Sequence, residues 1–256
     1  MKNKLYILGL ALLLLVSCHT KKDEVEELKN EVIVLGTIHG QHLTQSQYSI
    51  EVLTAMIRKI APDIILTEIP PDRYSIAMQE FLQTGKITEA RVVRFPEYVD
   101  VIFPLYKDMG FEIIPTAGWT KEMSDQRNKQ LNAISEDPAR ASEWQQLQQA
   151  EKKSSALIKA TGREFDPYWI NSDAYDQLAE IELSVYNNLF NDELGAGGWD
   201  NINAAHYALI SQALDEYKFQ GKRILITYGA GHKGWFLRKL KQRNDIELKT
   251  IDGLGL

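Results

Sequence analysis

Three residues that can carry out hydrolytic chemistry each follow a run of apolar residues in this sequence. His39 lies in GTIH after EVIVL, Glu68 ends PDIILTE, and His232 lies in GAGH after KRILITY. Two imidazoles and a carboxylate can activate a water molecule as general bases, and the same groups are ligands for zinc, manganese, cobalt or iron. The three residues are therefore candidate catalytic residues and candidate ligands of a divalent metal.

The apolar runs that precede these residues predict the strands of one sheet. Each run is continuous rather than alternating, which is typical of strands that are buried on both faces of a parallel sheet. The carboxyl ends of parallel strands share one edge of a sheet, and ligands bind at that edge. We therefore expect the two histidines and the glutamate to converge there. The expected strands cover residues 31–36, 62–68, 111–116 and 222–229, with one more at 246–251 at an edge.

The segments between the strands complete an α/β fold, with a mostly parallel central sheet flanked by helices. Ile50, Leu53 and Ile57 recur at helical spacing between the first two strands, as a right-handed crossover requires. Residues 119–200 are rich in Gln, Ala, Glu and Lys and predict a helical insertion that caps the sheet. Residues 31–256 are therefore expected to form a single α/β hydrolase-like domain with this insertion.

The other histidines need separate interpretations. His42 follows His39 by three residues and either extends the set of metal ligands or faces solvent. His206 lies inside a helical pattern and is expected to be a core or surface residue, while His19 belongs to a charged tether. The sequence has no Gly-x-Ser-x-Gly elbow and no phosphate-binding Gly-x-x-x-x-Gly-Lys loop, so other routes to a nucleophile have little support.

The net charge and the cysteine content bear on nucleic-acid binding and on disulfide formation. The formal net charge is -6 at pH 7, so nothing in the composition favours a nucleic-acid partner. Cys18 is the single cysteine, so an internal disulfide cannot form.

The N-terminal segment predicts export and anchoring. Residues 1–17 have a basic start and an apolar stretch that is too short to span a bilayer but is typical of a signal peptide. The end of this segment and the next residue, LVSC, resemble the bacterial lipoprotein signal, which implies cleavage before Cys18 and its acylation with chains such as palmitate. A plain secretory signal with a spare thiol is the alternative. Residues 18–30 predict a tether, and the expected location is a bacterial outer membrane, facing the periplasm or the cell surface.

The motifs around the candidate residues resemble a known family. GTIH at 36–39 and GAGH at 229–232, with Glu68 at the end of the second strand, resemble the TraB, GumN and Tiki group of hydrolase-like proteins. The His-Gly pair followed by a strand-end glutamate is similar, more distantly, to erythromycin esterase and ChaN-like proteins. The likeness covers about 31–118 and 199–245 and leaves the helical insertion without a counterpart.

This resemblance implies two versions of the chemistry. Tiki-like members imply metal-dependent peptide hydrolysis by His39, Glu68 and His232. The esterase-like pattern implies chemistry without a metal, in which Glu68 or His39 is the general base for a water molecule. A metal held by these residues would instead lower the pKa of its bound water. Both versions stay open at this point.

The chain also departs from the relatives that carry an arginine near the start of the helix before the last central strand. Asp200, Asn201 and Asn203 stand in that region here, and Arg73 is the candidate to take over the role of holding an anion.

The leading hypothesis is a membrane-anchored extracytoplasmic hydrolase that cleaves an ester or amide bond of a small molecule or peptide. ChaN-like relatives are linked to haem binding, and Tyr175 and Tyr186 could line an apolar pocket in the cap. A lipoprotein that binds haem or another small ligand without turnover is therefore the alternative. A third hypothesis is an inactive protein that has kept the core.

Overall fold

The structure is a computed structural model that describes residues 28–255. The predicted signal peptide, Cys18 with its predicted acylation, and most of the predicted tether lie outside the described residues. No helix of the described part is long and apolar enough to cross a membrane.

Five parallel strands form the central sheet, in the order β3-β2-β4-β1-β5. The expected α/β fold is confirmed, and β5 lies at an edge as the sequence predicts. The order places β4 between β1 and β2, so the three strands that precede the candidate residues are neighbours. The strands are β1 Asn30–Thr37, β2 Ile64–Thr67, β3 Glu112–Pro115, β4 Arg223–Gly229 and β5 Ile246–Lys249.

Helices cover both faces of the sheet because successive strand residues point to opposite sides. On β1, Ile33 and Leu35 pack with α1, α2 and α3, whereas Val32 and Val34 pack with α8 and α9. Both sets are fully or almost fully buried, which explains the continuous apolar run in the sequence. These helices are α1 Ile50–Ile60, α2 Pro71–Thr84, α3 Phe103–Met109, α8 Trp199–Glu216 and α9 Ala230–Leu240.

The segment predicted as a helical insertion forms four helices between β3 and α8. Its own small core contains the buried residues Ile134, Leu147, Phe190 and Leu194. The polar sequence of this segment reflects helices that bury only one narrow face each. The four helices, which we call the cap, are α4 Lys121–Glu136, α5 Ala141–Ala160, α6 Pro167–Ile170 and α7 Asp173–Phe190.

A buried ion pair joins the cap to the sheet layer. Lys233 on α9 has only 1% of its side chain exposed, and its Nζ lies 2.6 Å from Oδ2 of Asp176 on α7. A second pair between the same two helices, Arg238 with Glu180, is about half exposed. A buried charge is expensive to leave without its partner, whereas an exposed pair contributes little. The Lys233–Asp176 pair should therefore dominate the electrostatic attachment of α7.

Asp176→Ala should lower the free energy of unfolding by about 3–5 kcal/mol, because it leaves the Lys233 ammonium buried and uncompensated. Glu180→Ala is the matched control and should cost less than about 1 kcal/mol, since it breaks the exposed pair. Urea denaturation of both variants measures the difference. Equal small losses in the two variants would contradict the assignment.

Candidate functional site

The three candidate residues stand at the carboxyl ends of neighbouring strands. His39 begins a short 3₁₀ helix, His39–Leu43, that follows β1, and Glu68 directly follows β2. His232 lies in the first turn of α9, which begins where β4 ends. The φ angle of His39 is 49°, a left-handed conformation that is unusual for a residue other than glycine. Such strain is typical of residues whose side chains are held in place for function.

The carboxylate of Glu68 lies between the two histidines. His39 Nε2 is 3.9 Å from Glu68 Oε2, and His232 Nε2 is 3.8 Å from Glu68 Oε1. Glu68 and His232 are nearly buried, with 8% and 13% of their side chains exposed, whereas His39 is 37% exposed. The structure therefore brings together the three residues that the sequence singles out, with His39 nearest to solvent.

Glu97 orients His39 and was missed in the sequence. Its Oε1 lies 2.6 Å from His39 Nδ1 and also accepts a hydrogen bond from Thr37 Oγ1 at 3.0 Å. Glu97 is fully buried at the start of a π-helical segment, Glu97–Ile102, that continues into α3. Because a carboxylate accepts hydrogen bonds, His39 carries its proton on Nδ1 when neutral, and the lone pair of Nε2 is directed away from Glu97.

Asn203 orients His232 in the same way. Its Oδ1 lies 2.7 Å from His232 Nδ1, while its Nδ2 donates to the Trp199 carbonyl at 2.8 Å and so fixes the orientation of the amide. Trp199 also stacks on the His232 ring, with centroids 4.9 Å apart. His232 therefore donates through Nδ1, and its Nε2 presents a lone pair to the cleft.

Glu68 is held in place by hydrogen bonds to both its side chain and its backbone. Its Oε2 accepts a hydrogen bond from the Gly229 N–H at 2.9 Å. Its N–H donates to the Tyr98 hydroxyl at 2.9 Å, and that hydroxyl donates to the Thr227 carbonyl at 3.1 Å. Tyr98 follows Glu97 directly, so one turn of helix holds both His39 and Glu68.

Burial and neighbouring charges separate the pKa values of the three groups. Burial lowers the pKa of His232 well below its usual value, and His206 and His39 lower it further. Burial raises the pKa of Glu68, and the charge of His39 and the Gly229 N–H oppose this. Burial also lowers the pKa of His39, but the hydrogen bond and charge of Glu97 and the charge of Glu68 outweigh it, so this pKa is raised. His232 is therefore the neutral imidazole and His39 the one that takes up a proton readily.

His42 is not part of this group. Its Nε2 accepts a hydrogen bond from the Ile38 N–H at 3.1 Å, and its Nδ1 lies 2.6 Å from the Tyr48 carbonyl. Both ring nitrogens thus bond to backbone groups, and the residue is 1% exposed. The sequence left two expectations for His42, a metal ligand or a solvent-facing residue. The structure shows neither, because the buried ring bonds to the backbone of the loop around His39.

The sequence offered Arg73 as the residue that holds an anion, but the structure places acidic side chains against it. The Arg73 guanidinium lies 2.9 Å from the Asp72 carboxylate and 3.8 Å from that of Glu89, so acidic side chains already face it. Asp200 accepts from the Trp235 indole N–H. Asn201 donates to the Gly195 carbonyl, and only Asn203 of this segment reaches the site.

His206 is a fully buried core residue that lies beside the site, as the helical pattern allowed. Its Nδ1 accepts a hydrogen bond from the Gly118 N–H at 2.8 Å, and its ring packs 5.3 Å from the ring of His232. Burial lowers its pKa to about 3. It therefore stays neutral and helps to keep His232 neutral.

The candidate residues suit a divalent metal in kind and orientation. Metal-bound histidines usually donate their other ring N–H to a carboxylate or an amide or carbonyl oxygen, as His39 and His232 do to Glu97 and Asn203. Two ligand atoms that each lie about 2.1 Å from a tetrahedral metal are about 3.4 Å apart. The distances from the two Nε2 atoms to the oxygens of Glu68, 3.9 and 3.8 Å, are longer than this. Accordingly, no group of three or more His, Cys, Asp or Glu side chains within residues 28–255 forms a ready metal cluster.

Comparison of the chain with known protein families, curated proteins and solved structures found no match. The resemblance to the TraB, GumN and Tiki group and to ChaN-like proteins therefore stays a prediction.

Gly229→Ala should displace His39, because a Cβ atom at Gly229 would collide with His39 Nε2 although the backbone angles there suit alanine. We expect the hydrogen-bonded Nδ1–H resonance of His39 to be lost in proton NMR spectra, with a stability loss of about 1–3 kcal/mol. Gly231→Ala is the matched control, since its Cβ would meet only a Trp199 ring atom at 3.6 Å. An unchanged His39 resonance in Gly229→Ala would contradict the packing described here.

Proposed function

We propose that this chain hydrolyses ester or amide bonds with a water molecule activated between His39, Glu68 and His232. The observation that supports this best is the orientation of the two histidines. Each has its Nδ1 held by an acceptor and its Nε2 facing one oxygen of the same buried carboxylate. His42, in contrast, bonds to backbone groups through both ring nitrogens.

His39 is the general base of the proposal. Its side chain is the most exposed of the three, and Glu97 holds the ring in the tautomer that leaves Nε2 unprotonated. A buried carboxylate in this position also stabilises the imidazolium that forms when the ring takes a proton from water. The His39–Glu97 pair thus has the arrangement of the histidine and carboxylate in a catalytic triad, with water in place of the serine hydroxyl.

Glu68 and His232 position the water in this scheme. The lone pair of His232 Nε2 and the carboxylate of Glu68 are acceptors for hydrogen bonds from a water molecule between them. The charge of Glu68 also favours the imidazolium form of His39, which lies 3.9 Å away. The N-terminal end of α9 stands at the same edge, and its dipole favours the negative charge that develops on the carbonyl oxygen when water attacks the carbonyl carbon.

The same residues would hold a divalent metal through the Nε2 atoms of His39 and His232 and a carboxylate oxygen of Glu68. Glu97 and Asn203 would then orient the two imidazoles. A bound metal would supply hydroxide near neutral pH by lowering the pKa of its water. We favour the version without a metal because the Nε2 atoms of His39 and His232 lie 3.9 and 3.8 Å from the oxygens of Glu68, farther than ligands of one tetrahedral metal lie from each other.

Binding without turnover remains the second candidate function. Tyr175 lines a cavity of about 250 Å³ beside the site. Tyr186 lines another cavity of about 250 Å³. The two tyrosines therefore line different cavities, and each cavity suits a ligand smaller than haem. The anchoring of the chain to a membrane through Cys18, and its location outside the cytoplasm, also stay predictions.

The pH dependence of hydrolysis should report the pKa of His39. A general base must be unprotonated, so kcat/KM should fall as the pH falls through a pKa above about 6.5, the usual value for histidine. Glu97→Gln removes the main cause that raises this pKa, so the fall should move to lower pH and the maximum should drop by about 10²–10⁴-fold. Asp100→Asn, exposed on the same segment, is the control. An unshifted profile in Glu97→Gln would exclude His39 as the base.

Hydrolysis by the purified protein and its single variants separates the two versions of the site. We expect turnover of a panel of esters and peptides that persists in the presence of a chelator. His39→Ala, Glu68→Gln and His232→Ala should each lose about 10²–10⁴-fold in kcat/KM, whereas Glu247→Gln on β5 should match the wild type. A metal would instead activate the water if a chelator abolished the activity, one metal restored it, and elemental analysis found that metal in the purified protein. No turnover of any substrate would contradict the proposed function.

A further inference from the structure

Two cavities lie between the cap and the carboxyl edge of the sheet, and they meet at one turn of α7. The first has a volume of about 250 Å³ and reaches Ile38 and Gly231, which directly precede His39 and His232 in the chain. The second, also of about 250 Å³, reaches Trp199, whose ring stacks on His232. Glu182 and Leu183 line both cavities, so the two adjoin there, and we call them the halves of one groove beside the catalytic histidines.

The two halves of this groove differ in chemistry. The first half, which we call the acidic half, is lined by polar side chains that include two carboxylates. The second, the aromatic half, is lined mostly by apolar and aromatic side chains. The acidic half contains Gln41, Ser155, Glu164, Tyr175 and Glu182. The aromatic half contains Leu131, Trp144, Leu147, Tyr186 and Trp199.

Glu182 differs from Asp176 and Glu180 on the same helix. Asp176 and Glu180 each pair with a cation on α9, whereas no cationic nitrogen of the described residues lies within 4.0 Å of the Glu182 carboxylate. Burial raises its pKa, and the nearby Glu151 raises it further. A half-buried carboxylate that faces a cavity without a cation is stabilised by a cationic ligand.

The charges of the groove also fix the direction of a ligand. Arg127 and Glu151 line only the aromatic half, where their opposite charges offset each other and the Arg127 Nε donates to the Tyr186 hydroxyl at 3.1 Å. Glu164 lines only the acidic half, whose lining in the described part of the chain includes no cationic side chain. A cationic group is therefore attracted most strongly to the acidic half.

We infer that the groove binds an elongated ester or amide with a cationic nitrogen on one side of the scissile bond and an aromatic or branched apolar group on the other. The cationic group lies against Glu182 and Glu164, and the apolar group lies between Trp144, Tyr186 and Trp199. The scissile bond then passes the catalytic histidines where the two halves meet. The reaction at that bond rests on the proposed function, whereas the binding of such a ligand does not.

Two ethers that cannot be hydrolysed test the binding step. One is the choline ether of 2-phenylethanol, and the other is the neutral 3,3-dimethylbutyl ether of the same alcohol, in which carbon replaces the cationic nitrogen. Titration calorimetry at pH 8 should show that the wild type binds the cationic ether at least about tenfold more tightly than the neutral ether. Glu182→Gln should abolish this preference, and Glu164→Gln should reduce it. Glu180→Gln, on the same helix but outside the groove, should keep it.

Trp144→Ala should weaken the binding of both ethers by about tenfold and leave the ratio of their affinities unchanged, because it removes only apolar contact. Equal affinities of the wild type for the two ethers, or a preference that survives in Glu182→Gln, would overturn the inference. Hydrolysis of the matching phenylacetic esters by the wild type is measured in parallel. A charge preference without hydrolysis would contradict the proposed function alone, and hydrolysis without a charge preference would contradict this inference alone.

Discussion

The hydrogen bond between Glu97 and His39 is the contact on which the arrangement of the site depends. It fixes the proton on Nδ1, and it thereby decides that Nε2 faces the cleft as an acceptor. To make it, His39 adopts a left-handed backbone conformation, and the chain around Glu97 forms a π-helical turn. Gly229 must also lack a side chain, because the His39 ring occupies the space of its Cβ. The strained backbone of His39 and the absence of a side chain at Gly229 are thus both compatible with the hydrogen bond between His39 and Glu97.

The burial of Glu68 is the second constraint, and hydrogen bonds offset part of its cost. A carboxylate loses much solvation when it is almost fully enclosed, which raises its pKa. The Gly229 N–H offsets part of this cost, and Tyr98 ties the backbone of Glu68 to that of β4. Since Tyr98 and Glu97 belong to one turn, a shift of that turn would disturb Glu68 and His39 together.

The sequence predicted the sheet and its three catalytic candidates because both depend on local patterns. Continuous apolar runs identify strands that are buried on both faces, and parallel strands bring their carboxyl ends to one edge. Glu97 and Asn203 lie on helical segments, and their directions depend on how those segments rotate against the sheet. A glutamate within the mostly apolar run FPEYVDVIFP was the available signal for Glu97. The spacing of His42 gave no sign that both of its ring nitrogens bond to the backbone.

The helix α7 links the positioning of the site to the selection of its ligand. At its N-terminal end, Asp176 pairs with Lys233, the residue after His232, and Asn171 just before the helix accepts a hydrogen bond from Gly36 at 2.7 Å. Two turns further on, Glu182 lines the groove. Because a helix is stiff over this distance, the carboxylate is held at a fixed place relative to the histidines. If the groove binds the proposed ligand, a change of ligand preference is expected to come from residues on the far side of the groove, on α4 and α5, where no contact to His39, Glu68 or His232 has to be kept.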